Sequence, residues 1–222
     1  MNRLFPDMKH LPYPAHDITH LFPGGFTLRM AVPDDPDAVL DTLTDEEYER
    51  DRFLPYWAEQ WPSSRPLLEF LSRHTIPPDW SICELGSGLG IIAAALAVRT
   101  DAFTVATDIA HHGCCFTAYN IGANGGIPRV VCSDWRHHPF KNRFDALIAS
   151  DVLYEERWID PIIHSIGELL KRDGRAWIAD PCRRFWPAFK KQIAAHGFNL
   201  TVFSFPAEPP DLHTFEILEI SR

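Results

Sequence analysis

The segment at residues 82–90, ICELGSGLG, constrains the fold of this chain more than any other. Apolar residues run into glycines at alternate positions, Gly86, Gly88 and Gly90, and an apolar helical pattern follows at residues 91–98. The pattern predicts a strand, a tight loop and a helix. Because glycine permits positive φ and has no Cβ, a ligand can lie against the bare backbone and face the helix N-terminus. A nucleotide-like ligand fits this arrangement, and a β-α turn that needs glycine for geometry alone is the alternative.

The position of the third glycine and the acid before the loop distinguish between nucleotide ligands. In the dinucleotide fingerprint GxGxxG the third glycine falls one place later than Gly90, which disfavours NAD. Glu84 precedes the first glycine by two residues, where a carboxylate would suit an ammonium or sulfonium group better than a pyrophosphate. S-adenosylmethionine carries both groups. The motif resembles that of the seven-strand, Rossmann-like methyltransferases, which implies S-adenosylmethionine as cofactor, with Glu84, Gly86, Gly88 and Gly90 at its binding site.

Composition limits the classes of partner. The 222 residues fit one domain with a sizeable core, and 45% hydrophobic with 23% charged residues is ordinary for a globular protein. A net charge of -9 argues against general nucleic-acid binding, which needs clustered Lys and Arg. No apolar run reaches the roughly 20 residues of a membrane helix, and the N-terminus lacks the apolar core of a signal peptide. We therefore expect no membrane association and a cytoplasmic location.

The cysteines and histidines indicate neither disulfides nor a metal site. The five cysteines are an odd number without CxxC spacing. Paired histidines such as His137 and His138 are sequence neighbours, whose side chains point apart on a helix or strand. We predict reduced cysteines and no bound metal.

Residues 1–50 are predicted to form an extension over the cofactor cleft, and residues 51–222 the methyltransferase domain. Apolar pieces at residues 26–32 and 38–43, separated by PDDPD, predict a small β-hairpin. The capping-box spacing of Thr44 and Glu47 predicts a short helix at residues 45–52. The packing of this extension over the cleft is implied by the resemblance alone.

The segment at residues 55–71, PYWAEQWPSSRPLLEFL, predicts a helix preceded by a cluster of aromatic residues. Ser63 or Ser64 can cap the helix, and Pro66 is tolerated in its first turn. Aromatic faces attract cations and flat rings, so Trp61 is a candidate for the cofactor site, with plain core packing as the alternative. The tryptophan-proline step before the helix resembles the methyltransferase group that contains many protein-lysine methyltransferases.

Two further strands are predicted to end in acids that face the cofactor. Residues 103–107 alternate as a strand and end at Asp108, where a carboxylate can accept both ribose hydroxyls. A third strand at residues 129–133 ends in Asp134-Trp135, where the carboxylate can accept from the adenine amino group; a surface acid is the alternative. The Asp-Trp pair also resembles the lysine-methylating group.

The fourth strand, at residues 144–150, is an almost unbroken apolar run, as in a parallel sheet covered on both faces. It ends at SDVLYEE, so Asp151, Tyr154 and Glu155 are predicted at the reaction centre beyond the strand ends. The D-x-x-Y pattern resembles the motif after strand four in protein-lysine methyltransferases. Methyl transfer is an in-line displacement, so these groups would orient and polarise an amine. Alternatively, Asp151 binds the ammonium of the cofactor.

The C-terminal third of the sequence completes a doubly wound α/β pattern. A helix at residues 158–170, a turn at Asp173-Gly174, a strand at residues 175–179, a helix at residues 185–195 and two closing strands are predicted. DPxR at residues 180–183 resembles methyltransferases that modify the β subunit of electron transfer flavoprotein. The resemblance implies a seven-strand sheet of order 3-2-1-4-5-7-6 with the last strand antiparallel.

Three functional classes follow from these patterns. The first is a protein-lysine N-methyltransferase, the second a small-molecule N-methyltransferase acting on an amine or a nicotinamide-like ring, and the third a non-catalytic cofactor-binding module. D-x-x-Y and the tryptophan-proline step favour the first, whose partner would be a protein that bears the target lysine.

Overall fold

The computed structural model describes residues 7–22, 25–42, 54–205 and 214–222. Within these ranges the chain forms a two-stranded hairpin and a seven-stranded sheet. The hairpin strands are β1 (Ala15–Phe22) and β2 (Phe26–Pro33). The sheet contains β3 (Ser81–Leu85), β4 (Phe103–Asp108), β5 (Val130–Cys132), β6 (Phe144–Ser150), β7 (Leu170–Asp180), β8 (Asn199–Phe205) and β9 (Phe215–Ser221).

The sheet order is β5-β4-β3-β6-β7-β9-β8. Counted within the sheet, this is the predicted order 3-2-1-4-5-7-6, and β9 is antiparallel to both of its neighbours, as predicted. The strand order reverses at β3, which pairs with β4 on one side and with β6 on the other. A crevice therefore opens beyond the carboxyl ends of β3, β4 and β6, where α/β sheets bind their ligands.

Helices cover both faces of the sheet. They are α1 (Pro36–Asp41), α2 (Ser64–Ser72), α3 (Ile91–Arg99), α4 (His111–Ala123), α5 (Ile159–Leu169) and α6 (Trp186–Ala195). The alternation of side chains along β6 divides the core: Ile148 belongs to the apolar cluster under α2, α3 and α4, whereas Leu147 belongs to the cluster under α5 and α6. None of the helices in the described part of the chain is long and apolar enough to cross a bilayer.

The N-terminal hairpin differs from the prediction in its partner strands. Strand β2 pairs with β1 rather than with residues 38–43. Residues after β2 form α1 because Asp35 accepts hydrogen bonds from the backbone N–H groups of Asp37 and Ala38, and Pro36 suits a first helical turn. PDDPD is thus a helix start, not a hairpin turn. The helix predicted at residues 45–52 and the domain boundary after residue 50 lie outside the described residues.

Two asparagines, Asn120 of α4 and Asn124 at the C-terminal cap of that helix, attach the hairpin to the domain. The side chain of Asn120 accepts from the backbone N–H of Ala31 and donates to its carbonyl, at 2.7 and 3.0 Å. Asn124 makes the same pair of bonds with Arg29, at 2.9 and 2.7 Å. Since the asparagines are one helical turn apart and Arg29 and Ala31 are alternate strand residues, the two amides substitute for a neighbouring strand along β2.

Strand β7 is longer than predicted. Residues Asp173 and Gly174 lie inside it rather than in a turn before it. Pairing with β6 shifts register there, because Phe144 pairs with Leu170 and the next pair is Ala146 with Arg175. A Cβ at Gly174 would lie 2.9 Å from the carbonyl oxygen of Asp145, so glycine permits the close approach of the two strands at this bulge.

Candidate active site

A cleft of about 280 Å³ lies at the carboxyl ends of β3, β4 and β6. This volume is near the lower end of the roughly 300–1,000 Å³ range of small-molecule sites. Eight predicted site residues line it: Trp61, Gly86, Gly88, Asp108, Asp134, Trp135, Asp151 and Tyr154. Three others, Glu84, Gly90 and Glu155, are not among the lining residues. Lining residues that the sequence did not single out as site residues include Tyr56, Trp57, Ile109, Ala110 and Arg136.

The glycine loop has the backbone geometry that its sequence predicts. Gly86, Gly88 and Gly90 have φ values of 71°, 53° and 80°, in the left-handed region that favours glycine. A Cβ at Gly86 would lie 2.8 Å from the Trp135 ring. A Cβ at Gly90 would instead lie 2.8 Å from Thr117 of α4, so the third glycine serves the packing of two helices. The loop thus presents Gly86 and Gly88 to the cleft.

Glu84 lies behind the glycine loop, not in front of it. Its carboxylate accepts a hydrogen bond of 2.9 Å from the backbone N–H of Ala93, in the first turn of α3, and the residue is 1% exposed. Burial raises the pKa of the Glu84 carboxyl well above its usual value, and the charge of Asp108 adds to this. Glu84 thus fixes the first turn of the helix that follows the loop, and its contact with the cofactor stays a prediction.

Asp108 lies at the end of β4, on the floor of the cleft. One carboxylate oxygen accepts from the backbone N–H of Gly88 at 2.7 Å, and the other accepts from the backbone N–H of Ala110 at 2.8 Å. Burial raises the pKa of this carboxyl, and the backbone N–H groups oppose the shift. A carboxylate has about four acceptor sites, so acceptor capacity remains for hydroxyl groups.

Asp134 and Trp135 line the far side of the cleft. The Asp134 carboxylate is held by Arg136, whose Nε lies 3.0 and 2.9 Å from its two oxygens. Partial burial alone would raise the pKa of the Asp134 carboxyl, but the hydrogen bonds from Arg136 lower it. The Trp135 ring packs edge-on against Trp158, with centroids 5.2 Å apart. Trp135 thus forms an apolar wall, and Asp134 stays ionised beside it.

Asp151 is the centre of a buried polar cluster that the sequence did not predict. Its carboxylate accepts from the Ser63 backbone N–H and hydroxyl, at 2.9 and 3.0 Å, and from the Arg183 guanidinium at 2.6 Å. Arg183 also donates its backbone N–H to Asp180 at 2.7 Å. Ser63, expected as a helix cap, makes no side-chain cap bond and joins α2 to β6 instead. In the sequence, the DPxR pattern at residues 180–183 was the one local indication of this cluster.

Burial and the Arg183 charge shift the pKa values of the Asp151 and Asp180 carboxyls in opposite directions. Burial raises the pKa of Asp151, while Arg183 and Ser63 oppose the rise. Burial also raises the pKa of Asp180, to about 6. Asp151 has a backbone φ of 60°, a strained value for a non-glycine residue, which the three hydrogen bonds to its side chain help to hold.

Aromatic rings form the mouth of the cleft. The Tyr56 and Tyr154 rings have centroids 4.6 Å apart, and Trp61 lies 5.9 Å from Tyr56. The Arg183 guanidinium lies 5.1 Å from the centroid of the Trp61 ring. Burial raises the pKa of the Tyr154 phenol, and the charges of Asp108 and Glu155 add to the rise. The phenol is therefore protonated at neutral pH.

Glu155 does not line the cleft. Its carboxylate forms an ion pair with Arg157, with Nε 2.9 Å from one oxygen. Within the described ranges, no three His, Cys, Asp or Glu side chains converge in the way that a metal ion requires.

A sequence profile of the lysine methyltransferase family matches residues 58–185, more than half of the chain. The chain belongs to this family. It is an S-adenosylmethionine-dependent methyltransferase. A comparison with curated proteins found no match.

Solved structures share the fold of this methyltransferase. The ribosomal protein L11 methylase of Lactobacillus delbrueckii subsp. bulgaricus superposes with a TM-score of 0.59 at 20% identity, over 72% of this chain and 78% of that one. Magnesium protoporphyrin IX methyltransferase of Synechocystis PCC 6803, with bound SAM, superposes with a TM-score of 0.57 at 20% identity, over 85% of this chain and 97% of that one. TYW2 of P. horikoshii, in complex with MeSAdo, superposes with a TM-score of 0.56 at 16% identity, over 92% of this chain and 71% of that one. At these identities the likeness shows the fold.

The cleft of this methyltransferase fits S-adenosylmethionine. The open acceptor sites of the Asp108 carboxylate match a ribose diol, and Gly86 and Gly88 leave the backbone bare beside it. Ile109, Ala110 and Trp135 add apolar lining to the cleft, which an adenine ring would require. The binding roles of individual residues stay predictions.

Proposed function

We propose that this methyltransferase transfers methyl groups from S-adenosylmethionine to the ε-amino group of lysine in a protein substrate. The observation that carries the proposal is the aromatic mouth, in which the Tyr56 and Tyr154 rings contact each other at a tilt of 55° beside the end of β6. Such rings suit the long aliphatic stem of lysine, because they are apolar and their faces tolerate a nearby cation. Membership of the lysine methyltransferase family supports the same substrate class.

Asp151 is proposed to orient the amine. A carboxylate offers about four acceptor sites. Three are used by Ser63 and Arg183, which leaves one on the oxygen that Ser63 N–H contacts. Tyr154 can hold the amine with its protonated phenol, but it cannot act as a phenolate base. Because Glu155 is paired with Arg157, we assign it no contact with the amine.

The amine must be neutral when it attacks, and desolvation favours that form, because the surrounding rings exclude water and desolvation lowers the pKa of an ammonium group. The Asp151 carboxylate acts in the opposite direction, and Arg183, which is paired with Asp151 and Asp180, offsets part of its charge. The cofactor supplies the methyl group from its sulfonium, and the amine proton leaves to solvent.

The destination of the label tests this proposal. Purified protein is incubated with methyl-labelled S-adenosylmethionine and a desalted cell lysate, and label is separated into protein, nucleic acid and small-molecule fractions. We expect label in protein, recovered as methyl-lysine after hydrolysis, and less label with Asp108→Ala at a cofactor concentration that does not saturate the variant. Label confined to small molecules would establish the alternative substrate class. A cofactor that binds but yields no demethylated product would indicate a non-catalytic module.

The pH dependence of turnover separates an amine from a ring nitrogen. With a lysine substrate, the rate should rise with pH through the neutral range until the pKa of the bound amine is passed, because only the neutral amine attacks. A nicotinamide-like nitrogen has no such proton to lose. A flat profile would therefore contradict the lysine assignment.

A further inference from the structure

A second, larger groove adjoins the cofactor cleft. It has a volume of about 1580 Å³ and lies between α2, the loop after β7 and the edge strand β8. Trp61 lines both the groove and the cleft, and Arg183 of the groove is paired with Asp151 of the cleft, so the two adjoin at the aromatic mouth. A chain whose lysine enters the mouth can therefore continue into the groove.

The groove is basic although the chain is acidic. Among the described residues, Arg65, Arg73, Arg183 and Arg184 line it, against one acid, Glu69. The whole chain carries a net charge of -9. Arg73 is paired with Glu69, and Arg183 with Asp151. Arg65 and Arg184 are exposed, and neither forms an ion pair with another described residue. These two charges are available to a partner.

One wall of the groove is apolar. Val202 of β8 is 45% exposed, and Phe203 and Phe205 of the same strand are half-buried. Strand β8 is at the edge of the sheet and pairs only with β9 among the described strands. An extended peptide with acidic and apolar side chains would complement both walls. The apolar wall offers no complement to the phosphate backbone of a nucleic acid, which needs clustered basic side chains along its length.

We propose that this groove binds an acidic segment of the protein substrate that flanks the target lysine. The inference rests on the proposed lysine methylation and adds to it a rule for substrate choice. Arg65 and Arg184 are the recognition residues. Both lie outside the cofactor cleft, so they act on substrate binding and not on the chemical step.

The test compares charge-reversed variants on a mapped substrate. Methylated lysines in lysate proteins are located by mass spectrometry, and the most strongly labelled protein is purified with its native flanks and with its flanking acids changed to amides. The variants are Arg65→Glu, Arg184→Glu and their combination. Arg65→Lys and Arg184→Lys retain the charge. Arg172→Glu, an exposed arginine of β7 outside the groove, is the matched control.

We expect Asp or Glu beside the mapped lysines and a KM raised about tenfold or more in the double variant, with kcat nearly unchanged. The amide-flanked substrate should show a similarly raised KM with wild type and little further change with the variant. Replacing the flanking acids by lysines should partly restore binding to the double variant. The two lysine variants and Arg172→Glu should behave as wild type.

The possible negative results distinguish the groove assignment from the proposed lysine methylation. Methylated lysines without acidic flanks, or a KM that charge reversal leaves unchanged, would overturn the groove assignment while leaving lysine methylation intact. Label in no protein at all would refute the proposed function, and the groove assignment with it. Inhibition by a mixed-sequence RNA that the double variant relieves would assign the groove to nucleic acid and also overturn it.

Discussion

Removing the Asp108 carboxylate should weaken the binding of both S-adenosylmethionine and S-adenosylhomocysteine. One oxygen of this carboxylate accepts from the backbone N–H of Gly88 and the other from that of Ala110, and acceptor capacity remains for the ribose hydroxyls. Hydrogen bonds to a charged group contribute about 1.5–3 kcal/mol. We therefore expect Asp108→Ala to raise both dissociation constants by about 10- to 150-fold, measured by titration calorimetry.

A ligand-side change separates the ribose contact from a general loosening of the glycine loop. Asp108→Ala also frees the Gly88 N–H, so part of its effect could come from the loop itself. Binding of S-adenosylhomocysteine is therefore compared with that of its 2′-deoxy analogue, in wild type and in Asp108→Ala. The lost hydroxyl should cost wild type about 1–2 kcal/mol and the variant almost nothing, which is the coupling expected of a direct contact.

Two results would refute the ribose assignment. One is equal affinity of wild type and Asp108→Ala for the adenosyl ligands. The other is the same loss on removing the 2′-hydroxyl in both proteins. Asp101→Ala, which removes an exposed acid just before β4, is the control for a change of net charge. Binding of NAD in place of adenosyl ligands would contradict the cofactor reading of the loop.

Three further predictions concern the chemistry and the buried carboxyls. Asp151→Asn should lower turnover by about 10²-fold or more with a smaller loss of cofactor affinity, and equal losses on one sample would make Asp151 a cofactor ligand. Activity should survive EDTA, and a loss restored by one added metal would contradict this. Because the pKa of Asp180 is raised to about 6 from 3.8, the folded state binds the proton more tightly, so this group favours folding below pH 4 and the benefit disappears as pH rises through 6. Asp180→Asn should remove about 3 kcal/mol of that pH dependence in denaturant unfolding, and parallel curves for the two proteins would refute it.

The sheet and the glycine loop could be predicted because their signals are local. The apolar run at residues 144–150 indicates a strand covered on both faces, and β6 has those bounds. Gly86 and Gly88 precede an apolar helix, and the loop has the positive φ values that such glycines allow. Asp108 follows its strand directly, so its place at the crevice follows from the parallel topology alone.

The contacts that organise the site could not be predicted because they join residues far apart in the chain. Asn120 bonds to the backbone of Ala31, 89 positions away. Ser63 bonds to Asp151, 88 positions away. Locally, a serine before a helix indicates a cap, and an asparagine near a helix end indicates a stop. In the folded chain Ser63 and Asn120 instead make tertiary hydrogen bonds. These bonds depend on how α2 and α4 pack against the sheet, which the local sequence does not indicate.

The arginines near the mouth are proposed to have separate roles: Arg183 positions Asp151, and Arg65 and Arg184 bind the substrate. The guanidinium of Arg183 donates to Asp151 and Asp180, and its side chain is 21% exposed. An acid of the substrate that contacted Arg183 would compete with Asp151 and disturb the residue proposed to orient the amine. Arg65 and Arg184 are free of such bonds among the described residues, so they can attract the substrate without loosening the mouth. A change in KM without a change in kcat is therefore the kinetic result that this division of roles requires.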